Sequence, residues 1–222
     1  HNPTGSSLTP AVAYRLLQAA ARHSLLVVES DPFADILPAA HPRLASLDQL
    51  ERVIHVGTFA KTLSASLRCG YVVASPALIE RLGALKMVTS VNSSGYVERI
   101  VHDLITSGQY RRHLKRLKGR VGAATAQAQA TLGRLGLPIF GAPGGGFYLW
   151  CGLPEGLDDS ALSRRAAERG ILLAPGAVFH PDAEPRRPSL RINVAYVDDP
   201  RFEKFMAEAL EGVAAGQLRR PG

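Results

Sequence analysis

The sequence predicts an α/β fold, and three observations carry the prediction. Short apolar runs at Leu25–Val28, Val53–Val56 and Gly70–Ala74 are bounded by polar or turn residues, as buried strands are. The stretches between and after them carry apolar residues at helical spacing, such as Val12, Leu16, Leu17 and Ala20. Between the second and third apolar runs lies a loop of small and hydroxylated residues, Gly57 to Arg68, holding a single lysine, Lys61.

The chain has 222 residues, enough for one or two domains with a substantial core. Its 46% hydrophobic and 20% charged content is ordinary for a soluble globular protein. No run approaches the ~18 apolar residues of a membrane span. The opening His1-Asn2-Pro3-Thr4-Gly5 has neither the basic nor the apolar region of a signal peptide, and it starts without Met, in what reads as mid-domain. The net charge of +7 is mostly arginine on helical stretches. Its densest cluster, Arg111 to Lys118, reads as a solvated helix face, with no aromatic platform for nucleic acid. The two cysteines, Cys69 and Cys151, stand in apolar, strand-like contexts and read as buried free thiols in a reducing, cytoplasmic setting. No Cys/His cluster has metal-ligand spacing, so no metal is expected.

Taken in order, Asn2-Pro3 and Thr4-Gly5 are turn dipeptides, and Thr9 with Pro10 opens a helix running to His23. Leu25–Val28 is a strand, and Glu29-Ser30-Asp31-Pro32-Phe33 follows at its carboxyl end, where open α/β sheets place ligand contacts. Strands at Leu50–Gly57 and Cys69–Ala74 flank the lysine loop. Helices are expected at Ala77–Val88, Tyr96–Ser107 and Gln109–Leu135, with a break at Asn92–Gly95. A glycine turn, Gly141–Gly146, precedes a strand at Phe147–Cys151 and a helix at Asp159–Arg169. Ser189–Ala195 alternates like a strand but carries Arg191 between Leu190 and Ile192, and a helix from Asp199 to Val213 follows before a frayed Pro221-Gly222. An arginine inside an apolar strand is costly unless paired, either with an internal carboxylate or with a ligand. Taken alone, Lys61 reads first as a surface loop lysine beside an arginine; the other reading is that a lysine among small residues approaches a ligand closely, a desolvated amine being free and nucleophilic, as a Schiff base with an aldehyde cofactor requires.

The segment Gly57-Thr58-Phe59-Ala60-Lys61-Thr62-Leu63 through Leu67-Arg68-Cys69-Gly70-Tyr71 resembles the cofactor-lysine segment of fold-type I pyridoxal-phosphate (PLP) enzymes, the class I/II aminotransferases. Other stretches match the same family in order: His1–Gly5, Glu29–Phe33, Pro143–Trp150, Gly170–Phe179 and Leu190–Ala195. The resemblance implies the C-terminal part of the large, mostly parallel-sheet domain over 1–108. Over 109–222 it implies a linking helix and a small α+β domain. It also implies a longer polypeptide, of which this chain is the C-terminal portion, and a homodimer.

By the same resemblance, Lys61 carries the internal aldimine of pyridoxal 5'-phosphate, and Thr58 and Arg68 bind its phosphate. Asn2 hydrogen-bonds the ring oxygen, with a cis Asn2-Pro3 bond, and borders the substrate. Arg191 clamps the substrate α-carboxylate bidentately. The Ile171–Phe179 segment is mainly structural. The sequence departs from the family at Glu29–Phe33. Ser30 occupies the position of the aspartate that pairs with the pyridine nitrogen, with Asp31 one residue off, and Phe33 replaces a tyrosine. A serine cannot hold the ring nitrogen's positive charge as a carboxylate does, and Phe33 donates no hydrogen bond.

Two functions follow. The first is an effector-sensing domain that forms aldimines with an amino acid in a MocR/GntR-type transcriptional regulator, whose DNA-binding domain would lie outside this chain. The runs Leu85–Ser90 and Gly108–His113 are similar to that subgroup. The second is a free-standing aminotransferase exchanging an amino group between amino and 2-oxo acids.

Overall fold

In Val53–Thr58, every second residue turns inward: Val53 is fully buried and His55 is 7% exposed, with Gly57 beneath them. This strand, β2, is the middle of a three-stranded sheet in the computed structural model, which describes residues 1–37, 43–141, 145–180 and 187–214. The chain divides into two compact units, residues 8–118 and residues 1–7 with 119–222.

In the first unit, α1 (Pro10–Arg22) starts where Thr9 accepts a hydrogen bond from the Val12 amide, with Pro10 in the first turn. It leads to β1 (Val27–Ser30), which pairs parallel with β2 so that Val27 faces Val53 and Ser30 faces Val56. A short helix that periodicity did not suggest, α2 (Leu44–Asp48), begins at the Glu29 side chain, whose oxygens accept from the Leu44 and Ala45 amides at 2.7 and 3.0 Å. Asp48 in turn receives the Arg52 and Val53 amides, fixing the entry to β2. Ala13 of α1, Leu44 of α2 and Val53 of β2 form the buried centre.

The lysine loop returns as β3 (Gly70–Val73), antiparallel to β2. Helices α3 (Pro76–Thr89) and α4 (Gly95–Thr106) follow, as periodicity predicts, and then α5 (Gln109–Arg134), whose residues 109–118 belong to this unit. α3 has no buried residue although apolar side chains lie on all its sides, Met87 being 65% exposed. A helix of that composition is ordinarily buried. Cys69 is half-buried, not buried as its apolar context suggested, because β3 lies on the open side of the sheet.

The second unit is built on an antiparallel sheet in the order β4 (Ile139–Phe140), β5 (Tyr148–Gly152), β7 (Ser189–Asn193), β6 (Ala174–Pro175). Leu149 and Cys151 of β5 and Leu190 and Ile192 of β7 point to one face. They pack there with Ala128 and Leu132 of α5, Leu162 of α6 (Asp159–Glu168) and Phe202, Phe205 and Met206 of α7 (Pro200–Ala214). Asp158 caps α6 by accepting from the Ser160 and Ala161 amides. The Ile171–Phe179 segment is a short strand, β6, followed by a turn, in which the backbone forms a 3-10 helix at Gly176–Phe179. Of the glycine turn, Ala142, Pro143 and Gly144 lie outside the described residues, as does Pro221-Gly222. No described helix is long and apolar enough to cross a membrane.

Candidate functional site

The expected site residues fall into two groups, one in each unit. In residues 8–118 they gather at the carboxyl ends of β1 and β2. The ladder continues past β2, the Phe59 amide donating to the Cys69 carbonyl at 3.1 Å, and the chain then makes one tight turn. The Thr62 and Leu63 amides donate back to the Phe59 carbonyl at 3.3 and 2.8 Å. This turn exposes Lys61 while Thr62, beside it, is 3% exposed. The desolvated lysine expected from the sequence is thus not seen in this chain: its small neighbours leave it open.

Thr58 ends β2, its hydroxyl donating to the Cys69 carbonyl at 3.3 Å and accepting from the Ala60 amide at 3.1 Å. Arg68 sits at the far end of the loop in the left-handed region with φ of 48°, exposed like Lys61. An amine, a guanidinium and a hydroxyl on one loop are a donor set that suits an aldehyde with a phosphate dianion.

At the end of β1, alternation decides which side chain goes where. Ser30 is exposed on the face it shares with its partner Val56 and with Thr58. Glu29 and Asp31 turn the other way. Glu29 reaches His55 at 3.1 Å and the start of α2, and Asp31 lies 3.7 Å from Arg43. The Asp31 amide still donates to Val56, so the strand has neither bulged nor turned by that residue. Burial raises the Asp31 carboxyl above its ordinary value, and Arg43 partly offsets it. Phe33 lies in the turn after β1, its carbonyl accepting from the Ile36 and Leu37 amides.

Two residues from the start of α5 enter this group, neither of them a site residue expected from the sequence. Tyr110 is buried, its hydroxyl 2.6 Å from Asp35 and 2.9 Å from the Thr62 hydroxyl. His113 Nε2 donates to the Thr62 carbonyl at 2.7 Å. The arginines and lysines around them are exposed, as a solvated face should be, but Tyr110 and His113 stand three apart on the inner face. That spacing was the available signal, hidden by the surrounding charge.

In the other unit, residues 1–7 lie against β5. Gly5, at φ of +68°, passes so close to the Tyr148 carbonyl that a Cβ would stand 2.2 Å from it. The Asn2-Pro3 bond is cis. Asn2 Oδ1 accepts from the Arg191 guanidinium at 2.9 Å. Arg191 occupies the face of β7 opposite the core, paired across the ladder with Trp150. Its guanidinium lies over the rings of Tyr148, at 4.3 Å, and Phe179, at 5.0 Å. Among the described residues no carboxylate pairs with it. Phe179 therefore does more than shape the 3-10 turn, since it forms one wall of the arginine's seat.

Residues 1–208 match the family model described as aminotransferase class I and II. The chain is 33% identical to a 2-aminoadipate transaminase of Thermus thermophilus over its whole length, covering 54% of that protein. It is 32% identical to the transcriptional regulator TauR of Rhodobacter capsulatus, with 86% of the chain aligned to 40% of the regulator. Among solved structures, LysN of Thermus thermophilus, an alpha-aminoadipate aminotransferase complexed with N-(5'-phosphopyridoxyl)-L-leucine, superposes with a TM-score of 0.84 at 27% identity. That match covers 96% of this chain and 57% of LysN. The chain spans about half the length of the curated relatives it matches.

Proposed function

Because the chain belongs to the class I and II aminotransferase family, whose PLP-bound members imply pyridoxal 5'-phosphate as cofactor, we propose that it is a PLP-binding domain that captures an amino acid. The observation that carries this reading is Arg191. A half-buried guanidinium held by two aromatic rings and one amide, with no internal carboxylate among the described residues, is provisioned for an external one. Asn2 Oδ1 is engaged by Arg191, which turns the amide nitrogen into the group's free donor, suited to an oxygen on the cofactor ring.

On this reading Lys61 attaches the cofactor, and Arg68 and Thr58 hold its phosphate. When bound, PLP supplies an aldehyde for the amino group and a ring that withdraws electrons. The remaining work falls to the protein: orienting the ring, neutralising the phosphate, and keeping charge near the ring nitrogen. Here the chain departs from an efficient transaminase. Ser30, on the same face as Thr58, carries no charge, and Asp31 is turned toward Arg43. This supports an effector-sensing role in a MocR/GntR-type regulator, ligand capture being retained and turnover weakened. The 33% identity to a transaminase across the whole chain favours the second reading, a free-standing enzyme of amino-group transfer.

The test is an absorption titration of the intact PLP-loaded protein with a panel of amino acids, followed by binding to DNA from upstream of its own gene. A regulator gives a spectral change with one amino acid, which also alters DNA affinity, and little cofactor conversion. An enzyme converts the cofactor to pyridoxamine phosphate within seconds and binds no DNA.

A further inference from the structure

The turn carrying Lys61 is not held by its own strands alone. Within it, the Phe59 carbonyl receives two amides, and beyond the Phe59 amide's bond to the Cys69 carbonyl no backbone hydrogen bond ties residues 59–63 to the sheet. Its fixed point is Thr62, and both ends of that residue are taken by α5. Tyr110 has one hydroxyl proton, which it gives to the stronger acceptor, the Asp35 carboxylate at 2.6 Å, and it accepts from Thr62 at 2.9 Å. His113 binds the Thr62 carbonyl at 2.7 Å. The Tyr110 ring stands edge-on to Phe59, 5.7 Å between centroids, and so closes on the turn from its other end. Asp35 belongs to the turn of residues 31–37 that follows β1 and contains Asp31 and Phe33. One buried phenol therefore joins the two turns that bring Phe33 and Lys61 to the end of the sheet.

We infer that Tyr110 and His113 are positioning residues for Lys61, fixing its turn and tying it to the 31–37 turn through Asp35. The inference rests on the proposed cofactor role of Lys61. The physical reason is entropic: a lysine in a free loop must be ordered each time it engages a ligand, whereas a clamped turn has that order built in. Neither residue touches the reacting atoms. Their effect passes through Thr62, the residue next to the lysine.

The experiment uses the intact protein and its Tyr110→Phe, His113→Ala and His113→Gln variants. Tyr110→Phe keeps the ring against Phe59 and removes only the hydroxyl; His113→Gln keeps a donor for the Thr62 carbonyl. Amide hydrogen exchange is followed in the PLP-free proteins over residues 31–37 and 58–64, with β5 and β7 as internal control. PLP uptake is followed separately by borohydride trapping at Lys61. Tyr110→Phe and His113→Ala should speed exchange at 58–64 by about tenfold, the ratio set by losing one hydrogen bond. They should also slow trapping, with β5 and β7 unchanged and His113→Gln close to the parent. Tyr110→Phe alone should also speed exchange at 31–37. Exchange at 58–64 that stays at the parent rate in both variants, with normal trapping, overturns the inference and leaves the cofactor reading intact. Exchange that rises equally in β5 and β7 also overturns it, since the residues would then be general stabilisers. A parent protein that traps no PLP at Lys61 overturns the cofactor reading itself, and the positioning role with it.

Discussion

Arg191 and Asn2, 189 positions apart in the chain, meet at 2.9 Å, the guanidinium donating to the amide oxygen. The contact joins the N-terminal turn to β7, and it leaves the guanidinium's remaining N–H groups for a ligand. If those groups clamp an α-carboxylate, Arg191→Ala should weaken amino-acid binding by about 1.5–3 kcal/mol, the scale of a hydrogen bond to a charged group. PLP uptake should be unchanged. Arg191→Lys should restore little, since an ammonium cannot form the bidentate fork. The measurement is the amino-acid titration of the PLP spectrum. An Arg191→Ala protein that titrates like the parent makes the arginine structural.

The same pairing predicts a loss in the same direction from a substitution at Asn2. Asn2→Asp would turn the neutral partner into an anion and occupy the arginine in an internal ion pair. Amino-acid affinity should fall in this variant even though no group that faces the ligand's carboxylate has been removed. Affinity equal to the parent's would show that Arg191 is not limiting for capture.

Arg68 and Thr58 stand at opposite ends of the Lys61 loop. Arg68→Ala should weaken PLP binding by about 1.5–3 kcal/mol. Equilibrium dialysis of the intact protein measures this directly, and an unchanged affinity contradicts the phosphate assignment.

Ser30 is exposed on the Thr58 face while Asp31 faces Arg43. The parent protein should therefore transfer amino groups slowly, and Ser30→Asp combined with Phe33→Tyr should speed the half-reaction. Stopped-flow absorbance of both proteins with the same amino acid decides it. A parent that turns over at about 1 per second or faster, an ordinary enzyme rate, would mean that charge reaches the ring nitrogen by another route.

Much of this arrangement was legible in the sequence, and the reasons differ by element. The long helices showed through their periodicity, and β2 through its flanking turn signals. The lysine loop showed through the long resemblance of Gly57–Tyr71 to a family segment, since a lone lysine among small residues is by itself as well read as a surface loop. The two-residue strands β4 and β6 were not legible, since so short a run has no period to detect. Nor was α2, which starts at a side chain from a distant strand, Glu29, and not at a local cap. The seat of Arg191 was half visible: alternation placed the arginine on one face, but Tyr148 and Phe179 reach it from separate elements. His113 falls in the basic run Arg111–Lys118 and Tyr110 just before it, and the role of both stayed hidden because their partner, Thr62, is 48 residues before Tyr110.

Cys151 supplies a pH-dependent prediction. It is fully buried in β5, and burial pushes its thiol up to about 12 from 9.0. The thiol of the unfolded chain ionises first, so the unfolded state binds fewer protons between these values and stability falls as pH rises from about 9 toward 12. Cys151→Ala should lose less stability than the parent over that alkaline window, after allowance for its lower value at neutral pH. Below pH 8 the two should show parallel pH dependence. Denaturant melts at graded pH measure the difference, and identical slopes above pH 9 would contradict it.

The cofactor reading turns on Lys61 as the residue to which PLP attaches. Borohydride reduction of the intact PLP-loaded protein, followed by peptide mapping, tests it most directly. One pyridoxyl label is expected, on the peptide containing Lys61, and none in Lys61→Ala. A label on another lysine, or no label in a protein that demonstrably binds PLP, would contradict it.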